Sequence, residues 1–178
     1  MAGIYLHIPY CKKRCVYCNF HLVTSQKNKS SLLDSIKKEL KIRSSYLKNN
    51  SVKSIYFGGG TPSLLTKKDL IDIFKIIYNN FKVEETPEIT LESNPEDLNE
   101  KKLAFLKELG VNRLSIGVQS FLDADLVFMN RSHNAEEAKN AIINAKKFGF
   151  LNISVDLIFG LPNQTVCKWE DNYKKALS

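Results

Sequence analysis

Residues 4–20, IYLHIPYCKKRCVYCNF, decide the reading of this chain. Residues 4–8 are a short run of β-formers stopped by Pro9, which reads as a strand. The loop after it carries Cys11, Cys15 and Cys18, three of the four cysteines, at spacing x3 then x2. Thiolates are soft ligands that select zinc, copper(I) or iron–sulfur clusters. Four thiolates would saturate such a cluster; three leave one iron with an open coordination position. Inert core cysteines are disfavoured, because Lys12, Lys13 and Arg14 interleave the thiols and mark an exposed loop. Three clustered thiols do not pair evenly as disulfides, and nothing before them reads as a secretory signal. Zinc sites show paired Cys or Cys/His knuckles, and Cys167 stands alone far downstream. The spacing favours a cluster.

From this loop outward, strand and helix alternate. Strands are expected at 52–57, 88–93, 113–119 and 152–159. Ser30 or Ser31 is a candidate cap for a helix carrying Leu33, Ile36, Leu40 and Leu47, and Thr66 opens a second with Leu70, Ile73, Phe74, Ile77 and Phe81 on one face. Further helices are expected over 99–109, closed by Gly110, over 122–129, over 135–147, closed by Gly149, and from Gln164 to the end. Five strand–helix units with short connections argue an α/β fold, a mostly parallel sheet with right-handed crossovers. Strands rich in Ile, Val, Leu and Phe fit a sheet covered on both faces. An open doubly wound sheet and a partial barrel both fit, and in either the ligand sits at strand C-termini. The cysteines, Gly58-Gly59-Gly60, Glu92, Gln119 and Asp156 all fall there.

The 178 residues suffice for one domain with a real core. No apolar run approaches the ~20 residues of a membrane-spanning helix, and the cysteine usage points to a reducing cytoplasm. The net charge of +7 invites a nucleic-acid reading, but only four of the 26 basic residues are arginine, and the lysines are spread along helix faces. A solvated surface is the better reading, and no nucleic-acid partner is expected.

At the rim, three consecutive glycines before Thr61-Pro62 lack the spacing of a dinucleotide fingerprint or a P-loop. They let the backbone approach a ligand closely and expose its amides and carbonyls. Glu92 at a strand end can accept hydrogen bonds from a ribose or pair with an ammonium, and Gln119 offers both donor and acceptor. Asp156 interrupts an apolar strand and needs a partner. Arg131 is suited to clamp a carboxylate. Each taken singly is more often structural.

Cys-x3-Cys-x2-Cys after a short strand resembles the signature of the radical S-adenosylmethionine (SAM) superfamily. YLHIPYC (5–11), GGGTP (58–62), LESNP (91–95), SIGVQSF (115–121), Asn130-Arg131 and DLIFGLP (156–162) resemble one branch of it. That branch holds oxygen-independent coproporphyrinogen III oxidase and the HemW-type heme chaperones. The resemblance covers nearly the whole chain. It implies a TIM-like partial (βα)6 barrel with five units present, residues 1–178 forming a radical SAM core domain truncated at its C-terminal end. The chain ends inside the helix of the fifth unit, which implies a fragment of a longer protein. The resemblance implies that Cys11, Cys15 and Cys18 hold a 4Fe–4S cluster whose fourth iron is chelated by SAM. It implies that Tyr5, Gly59, Gly60, Thr61, Glu92, Gln119, Arg131 and Asp156 line the SAM site, with Tyr17 packed against the cofactor. The oxidase has a further cysteine two residues after the third, where this chain has Phe20; phenylalanine there is typical of the chaperones. The implied function is a heme carrier that delivers heme to acceptor proteins, and the alternative is oxidative decarboxylation of coproporphyrinogen III. His7 matches the branch, whereas His21, His133 and Cys167 carry no motif.

Overall fold

The structure is a computed structural model that describes residues 2–48 and 50–177. Five strands, β1 (Ala2–Ile8), β2 (Val52–Gly59), β3 (Val83–Ser93), β4 (Arg113–Gln119) and β5 (Asn152–Leu157), form one sheet. Every pairing is parallel and the spatial order is β1-β2-β3-β4-β5. A doubly wound sheet reverses its direction of growth part-way; this one never does. With right-handed crossovers, growth in one direction puts every connecting helix on the same face. The arrangement is therefore the barrel-like alternative, an open, partial TIM-like sheet.

Register explains what each face does. Leu6, Phe57, Leu91 and Leu114 are aligned across four strands and are buried. This outer face packs on α2 (Lys67–Asn80), with the Phe57 and Phe74 rings 5.4 Å apart. It also packs on α5 (Ala135–Lys147), whose buried Ala138, Ala141 and Ala145 allow close approach. One residue along, Tyr5, Tyr56, Thr90 and Arg113 are aligned, followed by Glu92, Ser115 and Ser154. The inner face is thus polar, a departure from the two covered apolar faces expected of these strands. A filled barrel would carry branched apolar residues there; this lumen is built for a ligand.

Local signals explain most boundaries. Thr66 caps α2 with a reciprocal Asp69 bond, and Asn99 and Asn134 cap α3 (Glu100–Glu108) and α5. Gly110 and Gly149 adopt φ +92 and +81 after their helices. Three expectations fail. α1 (Lys29–Ile42) is preceded by Asn28 with no side-chain cap bond, so neither Ser30 nor Ser31 opens it. It ends before Leu47, which still packs on the core from the following turn. β3 begins at Val83, ahead of Pro87, because the β2 pairing shifts register between Val52 and Ser54. Proline is tolerated at such an irregularity, where Asn112 takes over by donating to Pro87 O and accepting from Ile89 N, both at 2.8 Å. Among the described residues there are two further α-helices, α4 (Asp123–Phe128) before α5 and α6 (Val166–Leu177) after β5, and single 3-10 turns at Pro62–Leu64 and Pro95–Asp97. Among the described residues, no helix is long and apolar enough to cross a membrane.

Candidate cluster and cofactor site

The cysteine loop is tied at its neck. Tyr10 and Val23 form a parallel bridge, Cys11 N donates to Val23 O at 3.1 Å, and Val23 N donates to Pro9 O at 2.7 Å. β2 is laid against the start of this loop. Gly60 N donates to Ile8 O (2.8 Å) and Thr61 N to Tyr10 O (2.7 Å). Gly60 has to be glycine: a Cβ there would sit 2.8 Å from Ile8 O, Pro9 C and Tyr10 O, all backbone atoms. The far side of the loop is held by the segment after α4. Val16 N donates to Met129 O (3.2 Å), and Asn130 Nδ2 donates to Arg14 O (2.9 Å).

Inside lies a cavity of ≈ 290 Å3. Cys11, Cys15, Cys18, Tyr17, Gly59, Gly60, Thr61, Glu92, Gln119, Arg131 and Asp156 all line it, so residues from six separate segments of the sequence meet on one rim. Tyr5 is the exception. It stacks on Tyr56 (ring centroids 5.9 Å apart) and meets His7 Nδ1 through its hydroxyl at 3.1 Å, outside the cavity wall. It reaches the site through Tyr56, whose hydroxyl donates to Glu92 Oε1 at 2.8 Å.

Two of the three sulfurs already have donors. Thr61 Oγ1 donates to Cys11 Sγ and Arg131 to Cys15 Sγ, both at 3.3 Å. Burial pushes the Cys11 thiol up, and Cys18 and Cys15 add to this, while the Thr61 hydrogen bond and Arg131 pull it back. Arg131 is the hub. It donates to the Tyr17 hydroxyl (3.2 Å), Asn94 Oδ1 (2.8 Å) and Gly117 O (2.8 Å). Burial pushes the Tyr17 phenol up, against the pull of Arg131, with Cys15 adding to the rise.

Glu92 is fixed from two sides, by Tyr56 on Oε1 and by Gly59 N on Oε2 at 2.9 Å. Asp156 faces the same lumen from β5. Desolvation there pushes its carboxyl up and the charge of Glu92 adds to it, while Arg113 and Arg131 oppose. Gln119 ends β4 at φ +70, a strained backbone for a side-chain-bearing residue, and its carbonyl accepts from Ile158 N at 2.9 Å.

Several contributors escaped the sequence reading. Asn94 bridges Arg131 and Thr61. Gly117 keeps the floor open, since a Cβ there would meet Gln119 Nε2 at 2.9 Å. Ser93 Oγ and Arg131 Nε are buried at the cavity without a partner. The usable signal was period-two alternation: Thr90, Glu92 and Asn94, like Ser115, Gly117 and Gln119, project to one face. His133 is structural. Its Nε2 lies 3.0 Å from Val118 O and its Nδ1 3.3 Å from Glu96 Oε2. Cys167 is exposed on α6, and His21 does not line this cavity.

The model of the radical SAM superfamily matches residues 5–176. The chain belongs to the radical SAM superfamily. Radical SAM membership implies a 4Fe–4S cluster and SAM, and the cavity fits both. Its donor set is three soft sulfurs, two of them supplied with hydrogen bonds, beside a glycine-floored pocket with an orphan guanidinium N–H. Among the described residues, no three of His, Cys, Asp or Glu converge as ligands of a single metal ion. The heme chaperone HemW of Bacillus subtilis is 37% identical over 100% of this chain and 48% of its own length. HemW of Buchnera aphidicola from Schizaphis graminum is 38% identical over 92% and 44%. The structure of coproporphyrinogen III oxidase (HemN) from Escherichia coli, a radical SAM enzyme, superposes with a TM-score of 0.90 at 31% identity, over 98% of this chain and 41% of that one. The chain spans less than half the length of these relatives.

Proposed function

We propose that this radical SAM chain forms the cofactor-binding core of a heme carrier of the HemW kind. In this reading Cys11, Cys15 and Cys18 hold the cluster, and residues 1–178 are the core domain of a longer, cytoplasmic protein. The observation that carries the choice of carrier over oxidase is Phe20. It lines the cavity, 73% exposed, at the position where the resemblance implies the further cysteine of the oxidase. The HemW relatives at 37% and 38% identity support the same reading.

The residues have distinct tasks. Thr61 and Arg131 donate hydrogen bonds to the sulfurs of Cys11 and Cys15, two of the three atoms that would ligate iron. When bound, the cluster supplies one electron to the sulfonium of SAM. Gly59 and Gly60 bring backbone close enough to meet the methionine end of SAM, and Glu92, held by Tyr56 and Gly59 N, presents a fixed carboxylate to its ammonium. Arg131 supplies the opposite charge for a carboxylate. Gln119 and Asp156 line the β4–β5 side of the cavity and in this reading serve the ribose, Asp156 accepting from a hydroxyl. Heme, the cargo, and the proteins that accept it engage surfaces that include the remainder of the longer chain.

The test uses full-length protein reconstituted anaerobically with iron and sulfide. An EPR signal that changes on adding SAM, together with roughly stoichiometric heme binding by Soret titration and no turnover of coproporphyrinogen III, is expected. Conversion of coproporphyrinogen III to protoporphyrinogen IX would replace the carrier reading with the oxidase one. Zinc without iron or sulfide would remove both.

A further inference from the structure

The two hydrogen bonds aimed at the cysteine sulfurs are not independent. Thr61 Oγ1 donates to Cys11 Sγ and Arg131 Nη1 to Cys15 Sγ, and both donors meet at Asn94. Arg131 Nη2 donates to Asn94 Oδ1 at 2.8 Å, and Asn94 Nδ2 donates to Thr61 Oγ1 at 3.5 Å, the longest link. Donor chemistry fixes the direction of this chain. A guanidinium has no acceptor, so the Asn94 atom facing it has to be the oxygen, and the amide nitrogen then faces Thr61. A hydroxyl has a single proton. With an N–H arriving at its oxygen, Thr61 finds no acceptor at Asn94, and its proton turns to Cys11 Sγ. Arg131 is locked as well. Nη1 serves Cys15 and Tyr17, Nη2 serves Asn94 and Gly117 O, and the buried Nε is left over. Among the described residues Cys18 Sγ receives no hydrogen bond, so the bonding to sulfur runs through the two donors that Asn94 joins.

The place of Asn94 does not depend on its side chain. Its N donates to Ser63 Oγ (3.3 Å), its O accepts from Asp97 N (3.1 Å), and its backbone is extended at φ −92, ψ 148. The amide is therefore free to serve the site. Reduction adds one electron to a cluster, and a donor aimed at a ligating sulfur stabilises the reduced form and raises the potential. We propose that Asn94 is a positioning residue that yokes Thr61 to Arg131, holds both donors on their sulfurs and thereby raises the reduction potential of the cluster. This rests on the cluster reading above. A chain of bonds that starts at a full charge polarises each member, so the two donors act more strongly together than apart.

The test is a redox titration of full-length protein, reconstituted with iron and sulfide and reduced stepwise with dithionite without SAM, the reduced cluster being read by EPR. Asn94→Ala is expected to hold about tenfold less reduced cluster relative to oxidised at a given poise, a midpoint about 59 mV more negative. Thr61→Val is expected to shift the midpoint the same way, and Thr61→Ser, which keeps the hydroxyl, to stay with wild type. In the Thr61→Val background Asn94→Ala is expected to shift the midpoint less than it does in wild type, because one of the bonds it organises is already gone. A merely structural role would lower iron content or Tm and leave the midpoint of the loaded fraction unchanged. An unchanged midpoint in Asn94→Ala, or equal shifts in both Thr61 backgrounds, would overturn the yoke and leave the cluster reading intact. Side-chain 15N NMR of the cluster-free proteins covers a variant that loads poorly. Exchange of the Arg131 Nη protons is expected to be faster in Asn94→Ala than in wild type, and equal exchange would overturn the proposal. If wild type assembles no cluster, the cluster reading fails and this inference falls with it.

Discussion

β4 and β5 are paired from Arg113↔Asn152 to Gln119↔Leu157, yet five of the seven β4 residues are buried and none of the six in β5. The ladder is the same, so backbone hydrogen bonding does not account for the difference. β4 has a strand on each side, and its outward Leu114, Ile116 and Val118 are fully covered. β5 has a strand on one side only. Its outward Ile153, Val155 and Leu157 are half covered, and α6 buries little beyond Asn172, whose Oδ1 accepts from Phe121 N and Ser120 Oγ. The half of the site carried by β1 to β4 is rigidly built, while Asp156 and Ile158 stand on the open half.

The comparison is exposed most sharply by core truncation. Leu114→Ala is expected to cost about 3 kcal/mol and Val155→Ala under about 1 kcal/mol by chemical denaturation; equal costs would refute it. Next in size is Glu96→Gln, on the built side. Burial raises the Glu96 pKa, but the facing His133, with backbone hydrogen bonding and Lys12, outweighs it and holds the carboxyl below 4.5. The variant is expected to lose about 2 kcal/mol at neutral pH. A lowered carboxyl stabilises above its unfolded pKa and loses this as pH falls through the folded value. Wild type and variant are therefore expected to converge in acid melts below about pH 4.5.

Tyr56→Phe comes third. It removes the hydroxyl from Glu92 Oε1 for about 1 kcal/mol. Burial first, and then the Glu92 hydrogen bond, push this phenol up to about 12. Ultraviolet titration is expected to lose one tyrosine ionising near that pH. The smallest effect is on the open side and has the opposite sign. The raised Asp156 carboxyl means that its charged form costs the fold above the folded pKa, a cost that disappears as pH drops below it. Asp156→Asn is expected to raise Tm by about 1 °C at pH 7, since an exposed group is largely screened, and to change nothing in acid.

Much of this was legible in residue order. The cysteine spacing, the glycine run and the Thr66, Gly110 and Gly149 boundaries are local signals, and the structure repeats them. Strand composition alone left open sheet and barrel undecided, because the direction of each crossover leaves no mark in it; the family resemblance supplied the barrel-like choice, and the strand order bears it out. The polar lumen was hidden for a related reason. Tyr5, Tyr56, Thr90 and Arg113 are ordinary strand residues until register puts them in one row. Arg131 was visible as a scarce arginine, but its bonds to Asn94, Gly117 and Cys15 join positions up to 116 residues apart. Asn94 and Gly117 were missed because each is defined by a neighbour that only the fold supplies.

The tied neck between Tyr10 and Val23 bears on the order of events in the protein's maturation. Where ligands are scattered along a floppy chain, ion capture and folding are one reaction, and the empty polypeptide is unfolded. Here the loop ends are already joined by backbone bonds, so the entropy of closing the ring is spent before any iron arrives. The polypeptide can fold first and be loaded later. Starvation for iron would then leave a standing pool of shaped, empty protein, ready to be filled, instead of a misfolded population for proteases.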